Sequence, residues 1–560
     1  MPTPDRRRVG WLHSALVVFV LLAIVPAGQA APNAIRTGGP SFSGDAKRAV
    51  VGANRSLVGR TYTVTDANGA VVLEGKLTRA PGKAAPWRSA TIADLSSITA
   101  PGSYQIAVGK IRSKQPWVVV ADGSAASTAV RHMLRFFSIN ADGNESSPAH
   151  GPSHLNDATI VGSSLNGQRV DLTGGWMDAG DMLKFTQTTA FTVVALLVAA
   201  RLDPADAVPL QTAAGIGVRW LLKAHPAADV FVSQVGEIVA DHDRDPSLGI
   251  DPGTDDQSSI PGIAMRQALT GIGLDSGGRT AAALALAAQV EPDVTARNQL
   301  ITAASQWYVA AAQVDALAPP LPMDPYLSDT GLDDMSLGAI ELYRATGDPQ
   351  YLADALEWID GHELSGTITW NDVGALAVAE MCGVLGMPVP SPAAAAKGCA
   401  LLRSAAALGA EPATQRVLAN PGGLGFGSTA ENGGAGAVLA LAAAAGFTDG
   451  RALAADSRDW VLGRNAWGRS FVAGLGPNPP VRVHSWTFRK GPDAFNGSVV
   501  GGPTTFQIMR EQKLRIRRGP FDGPGGFYED RDTNYVTSEV AIDYAASTLL
   551  LFAAMAPPTM

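Results

Sequence analysis

The sequence predicts a mainly α-helical protein with a small β-sandwich in front of its helical part. Three observations carry this. Residues 31–122 alternate short apolar and polar stretches between Gly/Pro turns, the pattern of many short strands. From residue 123 onward, alanine-rich runs of helical period succeed one another with almost no strand pattern between them. About twelve such runs occur, enough for six helical hairpins closed into a double ring.

Residues 1–30 stand apart. Arg6, Arg7 and Arg8 precede an apolar stretch from Ala15 to Val25, and Pro26, Gly28 and Ala30 follow as small cleavage-site residues. This is the layout of a secretory signal peptide, and it implies a secreted or periplasmic mature protein. The competing reading, a membrane anchor, asks for a longer apolar run. Residues 31–122 then read as a sandwich. Thr61-Tyr62-Thr63-Val64-Thr65 and Ala70-Val71-Val72-Leu73 flank the turn Asp66-Ala67-Asn68-Gly69, and further strands follow at 103–108 and 117–120. Residues 123–560 form the helical domain, with runs at 125–139, 181–201, 208–224, 277–291, 294–313, 332–346, 348–359, 370–384, 393–408, 430–446, 449–462 and 536–556. The stretch 464–535 is long, rich in Gly and Pro and poor in helix signal, and long ordered loops usually carry function.

Composition narrows the function. The chain has 560 residues, a net charge of −8 and only 17% charged residues against 46% hydrophobic ones. An acidic protein of this kind does not suit nucleic acid or an anionic membrane as partner, whereas a neutral substrate fits. Cys382 and Cys399 are the only cysteines, without zinc-ligand spacing around them. They form either one disulfide or two buried thiols.

The chemistry centres on Gly174-Gly175-Trp176-Met177-Asp178-Ala179-Gly180-Asp181. Two carboxylates three residues apart lie among glycines and just before an apolar run, which places Asp181 near a helix N-terminus, where an anion is favoured. Paired acids push each other's pKa apart, which suits a base that takes a proton from water. Alone, the motif reads better as an Asp N-cap beside a glycine turn; the Gly-Gly-Trp before it and the acidic segment at the far end of the chain reverse that preference. The second acidic stretch runs from Tyr528 to Tyr544 and places Glu539 where an acidic loop turns into an apolar helix. Neighbouring carboxylates and burial would keep Glu539 protonated, able to donate to a leaving oxygen; the plainer reading is first-turn helix stabilisation. An acid and a base with room for one water between them are the machinery of inverting glycoside hydrolysis.

These motifs resemble glycoside hydrolase family 9, secreted cellulases with an immunoglobulin-like N-terminal domain and an (α/α)6 barrel. Gly174 to Asp181 is similar to the family's GGWxDAGD, and Tyr528, Asp530, Tyr535 and Glu539 follow its acidic signature. His484 falls at the family's loop histidine, and Gln234-Val235-Gly236, Thr369-Trp370-Asn371-Asp372 and Pro421-Gly422-Gly423 echo it in order. The resemblance implies Asp181 as general base, Asp178 as the residue holding the water, and Glu539 as general acid. It implies His484, Trp176, Trp370, Tyr535 and Asp530 on the substrate side. Aromatic faces suit the C–H face of a sugar ring, though each could equally be core.

The implied reaction is hydrolysis of β-1,4-glucosidic bonds in cellulose-type glucan by a monomer that needs no cofactor for catalysis. The chain departs from the family in several places. Trp486 stands where an arginine is expected, leaving Arg482 or Arg489 as stand-ins, and Ser538 replaces the Asn before the acid. Exo-action on short β-glucosides or amino-sugar oligomers is therefore the alternative, with a non-catalytic glycan binder as the third reading. Family members bind calcium or zinc. Ser153 occupies the place of a cysteine beside His154, which weakens zinc, and the acidic loop Asp251–Asp256 is the candidate for structural calcium.

Overall fold

The computed structural model describes residues 31–42, 46–82, 84–121, 124–145, 147–236, 241, 266–319, 326–415, 423–524 and 526–556. The acidic loop 251–256, His242, Pro421 and Gly422 and the leader 1–30 lie outside these residues. No helix among the described residues is long and apolar enough to cross a membrane.

The first strands pack as two facing sheets. One has the order β1 (Ala34–Arg36), β3 (Arg48–Ala53), β7 (Ser89–Asp94), β6 (Thr78–Arg79). The other runs β2 (Ser41–Phe42), β10 (Trp117–Val120), β8 (Gly102–Val108), β4 (Thr61–Thr65), β5 (Val71–Lys76), with β9 (Ile111–Arg112) on β8. Period-two alternation decides what faces inward. Tyr62 and Val64 of β4 and Tyr104, Ile106 and Val108 of β8 point into a core shared with Val51, Leu95 and Trp117.

Among the described residues, twelve of the helices form two concentric rings. The inner ring is α2 (Thr186–Leu202), α4 (Leu274–Val290), α6 (Leu332–Thr346), α8 (Gly374–Cys382), α10 (Ser428–Ala444) and α14 (Ile542–Ala554), closed by packing of α14 on α2. The outer helices each pair with an inner one: α3 (Ala207–Lys223) on α2, α5 (Val294–Val314) on α4, α7 (Pro349–Asp360) on α6, α9 (Pro392–Gln415) on α8, α11 (Gly450–Val461) on α10 and α1 (Ser124–Ile139) on α14. This is the expected (α/α)6 barrel. Inner helices are buried nearly all round, so alanine and glycine let their backbones approach. A Cβ on Gly278 of α4 would lie 2.5 Å from the Asp334 carbonyl carbon in α6. Cys382 and Cys399 form a disulfide between the end of α8 and the body of α9.

Three features differ from the sequence expectation. A small sheet of order β11 (Thr159–Val161), β14 (Gln267–Thr270), β13 (Val232–Val235), β12 (Lys184–Phe185) interrupts the helices. Because Lys184 and Phe185 pair with β13, α2 begins at Thr186 rather than at residue 181. Asp181 therefore lies ahead of the helix mouth, which corrects its expected place at a helix N-terminus. The run 536–556 is also two helices: α13 (Tyr535–Ser538) and α14, separated at Glu539, whose backbone is extended (φ −68°, ψ 144°). The break allows residues 539 and 540 to bridge to His484 and Val500. A further short helix, α12 (Phe506–Glu511), lies within the long loop.

Candidate active site

A cleft of about 460 Å³ opens on the barrel and is lined by Asp178, Asp181, Trp370, Tyr535 and Glu539, with Tyr326, Phe426, Glu431, Asp543 and Tyr544. Five of the predicted residues thus come together from segments over three hundred and fifty positions apart (178 to 539). Lysine and arginine are missing from the lining among the described residues. Carboxylates in it are therefore not neutralised locally, and their protonation is set by burial and by one another.

The loop bearing the two aspartates is fixed from both sides. Below it, the buried Lys184 ammonium contacts Asp142 (2.9 Å) and Asp157 (2.5 Å) and donates to the carbonyls of Leu172 and Gly174 (3.1 Å each). Arg266 joins Asp157 (2.9 Å) to Asp241 (2.8 Å) and donates to the Met182 carbonyl. Above it, the Trp486 N–H donates to the Gly180 carbonyl (2.9 Å), and a Cβ at Gly180 would collide with the His484 carbonyl oxygen. Glycine is needed at 180 because two loops touch backbone to backbone there.

Asp178 is buried and accepts hydrogen bonds on both oxygens, from the Thr188 hydroxyl in the first turn of α2 and from the Tyr326 hydroxyl. Burial pushes its pKa up to about 7, the two hydroxyls oppose this, and the Asp181 charge adds to it. Asp181 accepts from the Leu183 N–H (2.9 Å). Glu539 is held well above the usual carboxylate range, first by burial and then by the charges of Asp181 and Asp178, against a hydrogen bond from the Gly180 N–H. Asp543 is raised in the same way, by burial and by Asp178, and Glu431 is pushed up to about 7 by burial and Asp372.

The other predicted residues divide. Trp370 packs edge-on against Tyr326 (5.0 Å between centroids), and Tyr535 stacks near Phe426 (6.4 Å). His484 is not among the lining residues; its Nδ1–H donates to the Asp532 carbonyl, and its ring lies 6.0 Å from that of Tyr535, which is. Trp176 is 0% exposed, donates to the Phe137 carbonyl (2.9 Å) and packs on the Phe137 ring. This corrects its expected role: it offers no face to a sugar. Asp530 is likewise corrected. It accepts from Arg469, from the Val481 N–H and from the Arg482 N–H (3.0 Å), so it clamps the loop ahead of His484. Trp486 is buried against Ile139, Met177 and Met182, and Arg482 donates from Nε and Nη2 to Asp532 (2.9 and 2.6 Å).

Sequence reasoning did not find Tyr326, Thr188, Phe426 or Glu431, which carry no local motif. Nor do the residues at His154 fit zinc. Ser153 and His154 both bond one oxygen of Asp142, and the Lys184 ammonium occupies the other, so a cation is already built into that donor set.

An (α/α)6 barrel with an acid-lined cleft and an N-terminal sandwich defines the class of multi-carboxylate glycoside hydrolases. The chain belongs to glycosyl hydrolase family 9, whose model matches residues 127–552, and the model of the cellulase N-terminal ig-like domain matches residues 42–113. It is 28% identical over 439 residues to Endoglucanase 4 of Bacillus sp. (strain KSM-522), covering 71% of this chain and 62% of that one. It is 26% identical over 551 residues to Endoglucanase D of Acetivibrio thermocellus, covering 90% of this chain and 80% of that one. The chain thus spans about three-fifths of the length of the first curated relatives it matches (62% and 60%). A metagenome-derived family 9 endoglucanase of known structure superposes with a TM-score of 0.79 at 23% identity, covering 94% of this chain and 99% of the other, which bears on the fold.

Proposed function

We propose that the protein hydrolyses β-1,4-glucosidic bonds of cellulose-type glucan with inversion, as a secreted enzyme. The observation that carries this reading is one cleft holding Glu539, whose carboxyl is pushed well above the usual carboxylate range by burial and by the charges of Asp181 and Asp178, together with that aspartate pair. Family membership and the endoglucanase relatives support the substrate class.

In this reading a glucan chain lies across the cleft with sugar rings against Trp370 and Tyr535. Glu539 gives its proton to the glycosidic oxygen as the C1–O bond breaks. Asp181 takes a proton from a water that attacks C1 from the opposite face, and Asp178 holds that water. The products are a hemiacetal of inverted configuration and a free hydroxyl. Asp181 ends protonated and Glu539 ionised, and exchange with solvent restores both.

The test is proton NMR of the anomer released from a soluble β-1,4-glucan, with chromatography of the products. The α-anomer and a spread of oligomers are expected. Release of the β-anomer would overturn inversion, and monosaccharide alone would favour exo-action on short chains. Glu539→Gln and Asp181→Ala are each expected to lower kcat by at least about 100-fold with folding intact. Wild-type turnover in either would remove that residue from the mechanism.

A further inference from the structure

We propose that the junction between sandwich and barrel is a binding site for an oxyanion, built around Arg36. The ligand class is a phosphate, a sulfate or the carboxylate of a sugar acid. Arg36 is the last residue of β1 and is only 6% exposed. Five arginines are buried among the described residues. Four of them face a carboxylate: Arg266 pairs with Asp157 (2.9 Å), Arg279 with Asp334 (2.7 Å), Arg458 with Asp459 (2.8 Å) and Arg464 with Asp456 (2.6 Å). Arg36 is the exception. Burial lowers its pKa to about 10, and no acidic neighbour opposes that shift.

The fold compensates this buried charge only in part. Nε donates to the Ala466 carbonyl (3.1 Å), and the guanidinium lies over the rings of Phe521 (4.3 Å) and Trp87 (5.7 Å). Such ring faces attract a cation but accept no in-plane hydrogen bond from its outer fork. Nη2 is buried and has no hydrogen-bond partner. Beside it lies a cavity of about 200 Å³, lined by Arg36, Lys114, Trp467, Arg469, Asn478 and Phe521 among others. Three lining residues are cations, and aspartate and glutamate are missing from the lining among the described residues.

A buried cation without a counter-charge is costly, and so is a buried donor without an acceptor. An oxyanion in the cavity removes both costs, because a guanidinium fork donates to carboxylate, phosphate and sulfate oxygens in its own plane. A neutral sugar would leave the charge unopposed, and a metal cation would be repelled. Lys114 is exposed at the cavity mouth and adds long-range attraction for an incoming anion. Arg469 comes from the barrel side, where its Nη2 holds Asp530, the residue that clamps positions 481 and 482. An anion bound here would therefore tie the sandwich, through Arg36 and Lys114, to the loop that leads to His484.

The full chain would be titrated calorimetrically with sodium phosphate, sodium sulfate and sodium glucuronate in separate runs, at ionic strength fixed with chloride. A single equivalent is expected to bind saturably. Binding of phosphate or sulfate assigns an inorganic anion, and binding of glucuronate alone assigns a sugar acid. Arg36→Gln is expected to weaken binding at least about tenfold and Lys114→Gln about threefold, while Lys76→Gln, on the exposed edge strand β5, keeps it. No saturable binding of any of the three anions by the unaltered protein would overturn the site. So would a Lys114→Gln protein that binds as tightly as Lys76→Gln. Lys114 is exposed, so these two measurements decide the matter even where Arg36→Gln fails to fold.

Discussion

Asp178 receives hydroxyl hydrogens from Thr188 and Tyr326 on its two oxygens, yet burial still lifts its pKa to about 7. Its folded-state pKa lies above the unfolded value of 3.8, so the protonated form is the one the fold prefers. Stability from this group is full below pH 3.8 and is lost as pH rises through about 7. Asp178→Asn is therefore expected to be nearly neutral at pH 4 and stabilising by on the order of 2 kcal/mol at pH 8, measured by denaturant titration at both. The same substitution is expected to depress kcat at both pH values. Tyr326→Phe removes one of the two hydroxyls and is expected to raise the pKa of Asp178 further and cost about tenfold in kcat. A pH–rate profile identical to wild type would show that Tyr326 does not act through Asp178. The aspartates and Glu539 were legible because glycines and acids cluster in short motifs. Tyr326 was not, since only the closing of the barrel brings it to Asp178.

Among the elements, the twelve helices were legible because alanine-rich runs of helical period need nothing beyond local sequence to declare themselves. The strands of the small sheet were not: β12 has two residues and β11 three, too short for alternation to register. Their effect is large, because β12 delays the start of α2 and leaves Asp181 on a loop. That loop depends on Lys184. Replacing it with Met would leave Asp142 and Asp157 buried against one fewer cation, and a loss of about 3–5 kcal/mol in urea unfolding is expected. A cost below about 1 kcal/mol would mean that Arg266 and His154 carry the network alone. The disulfide was left open by sequence, since spacing does not fix pairing. It closes a loop with a sequence separation of 17 between α8 and α9, worth about 3 kcal/mol by chain entropy. Cys382→Ala with Cys399→Ala is expected to lower stability by that order, with kcat unchanged.

At the scale of the whole molecule, the sandwich meets the barrel through a tight interface. Arg36 donates from Nε to the Ala466 carbonyl (3.1 Å) and stacks over Phe521 (4.3 Å) and Trp87 (5.7 Å), while Arg48 pairs with Asp456 (3.3 Å). Gly38 abuts Asp459, and a Cβ there would lie 2.5 Å from the Asp459 Cβ. The barrel segment it meets leads on to the site. Ser470 bonds the Pro477 carbonyl (2.8 Å), Asp530 clamps residues 481 and 482, and the His484 N–H donates to the Ser538 carbonyl (2.9 Å) beside Glu539. Chain order revealed the two parts but not this route, which passes through backbone contacts that no residue type announces. Gly38→Val forces the parts apart by about the width of a methyl group, at an expected cost of about 1–3 kcal/mol. Calorimetry of the variant should then resolve two unfolding transitions in place of a coupled one. kcat should fall several-fold with it, because the loop under His484 loses its outer support. A variant that unfolds as wild type does, or one whose transitions separate while kcat stays intact, would show that the sandwich leaves the position of Glu539 unaffected.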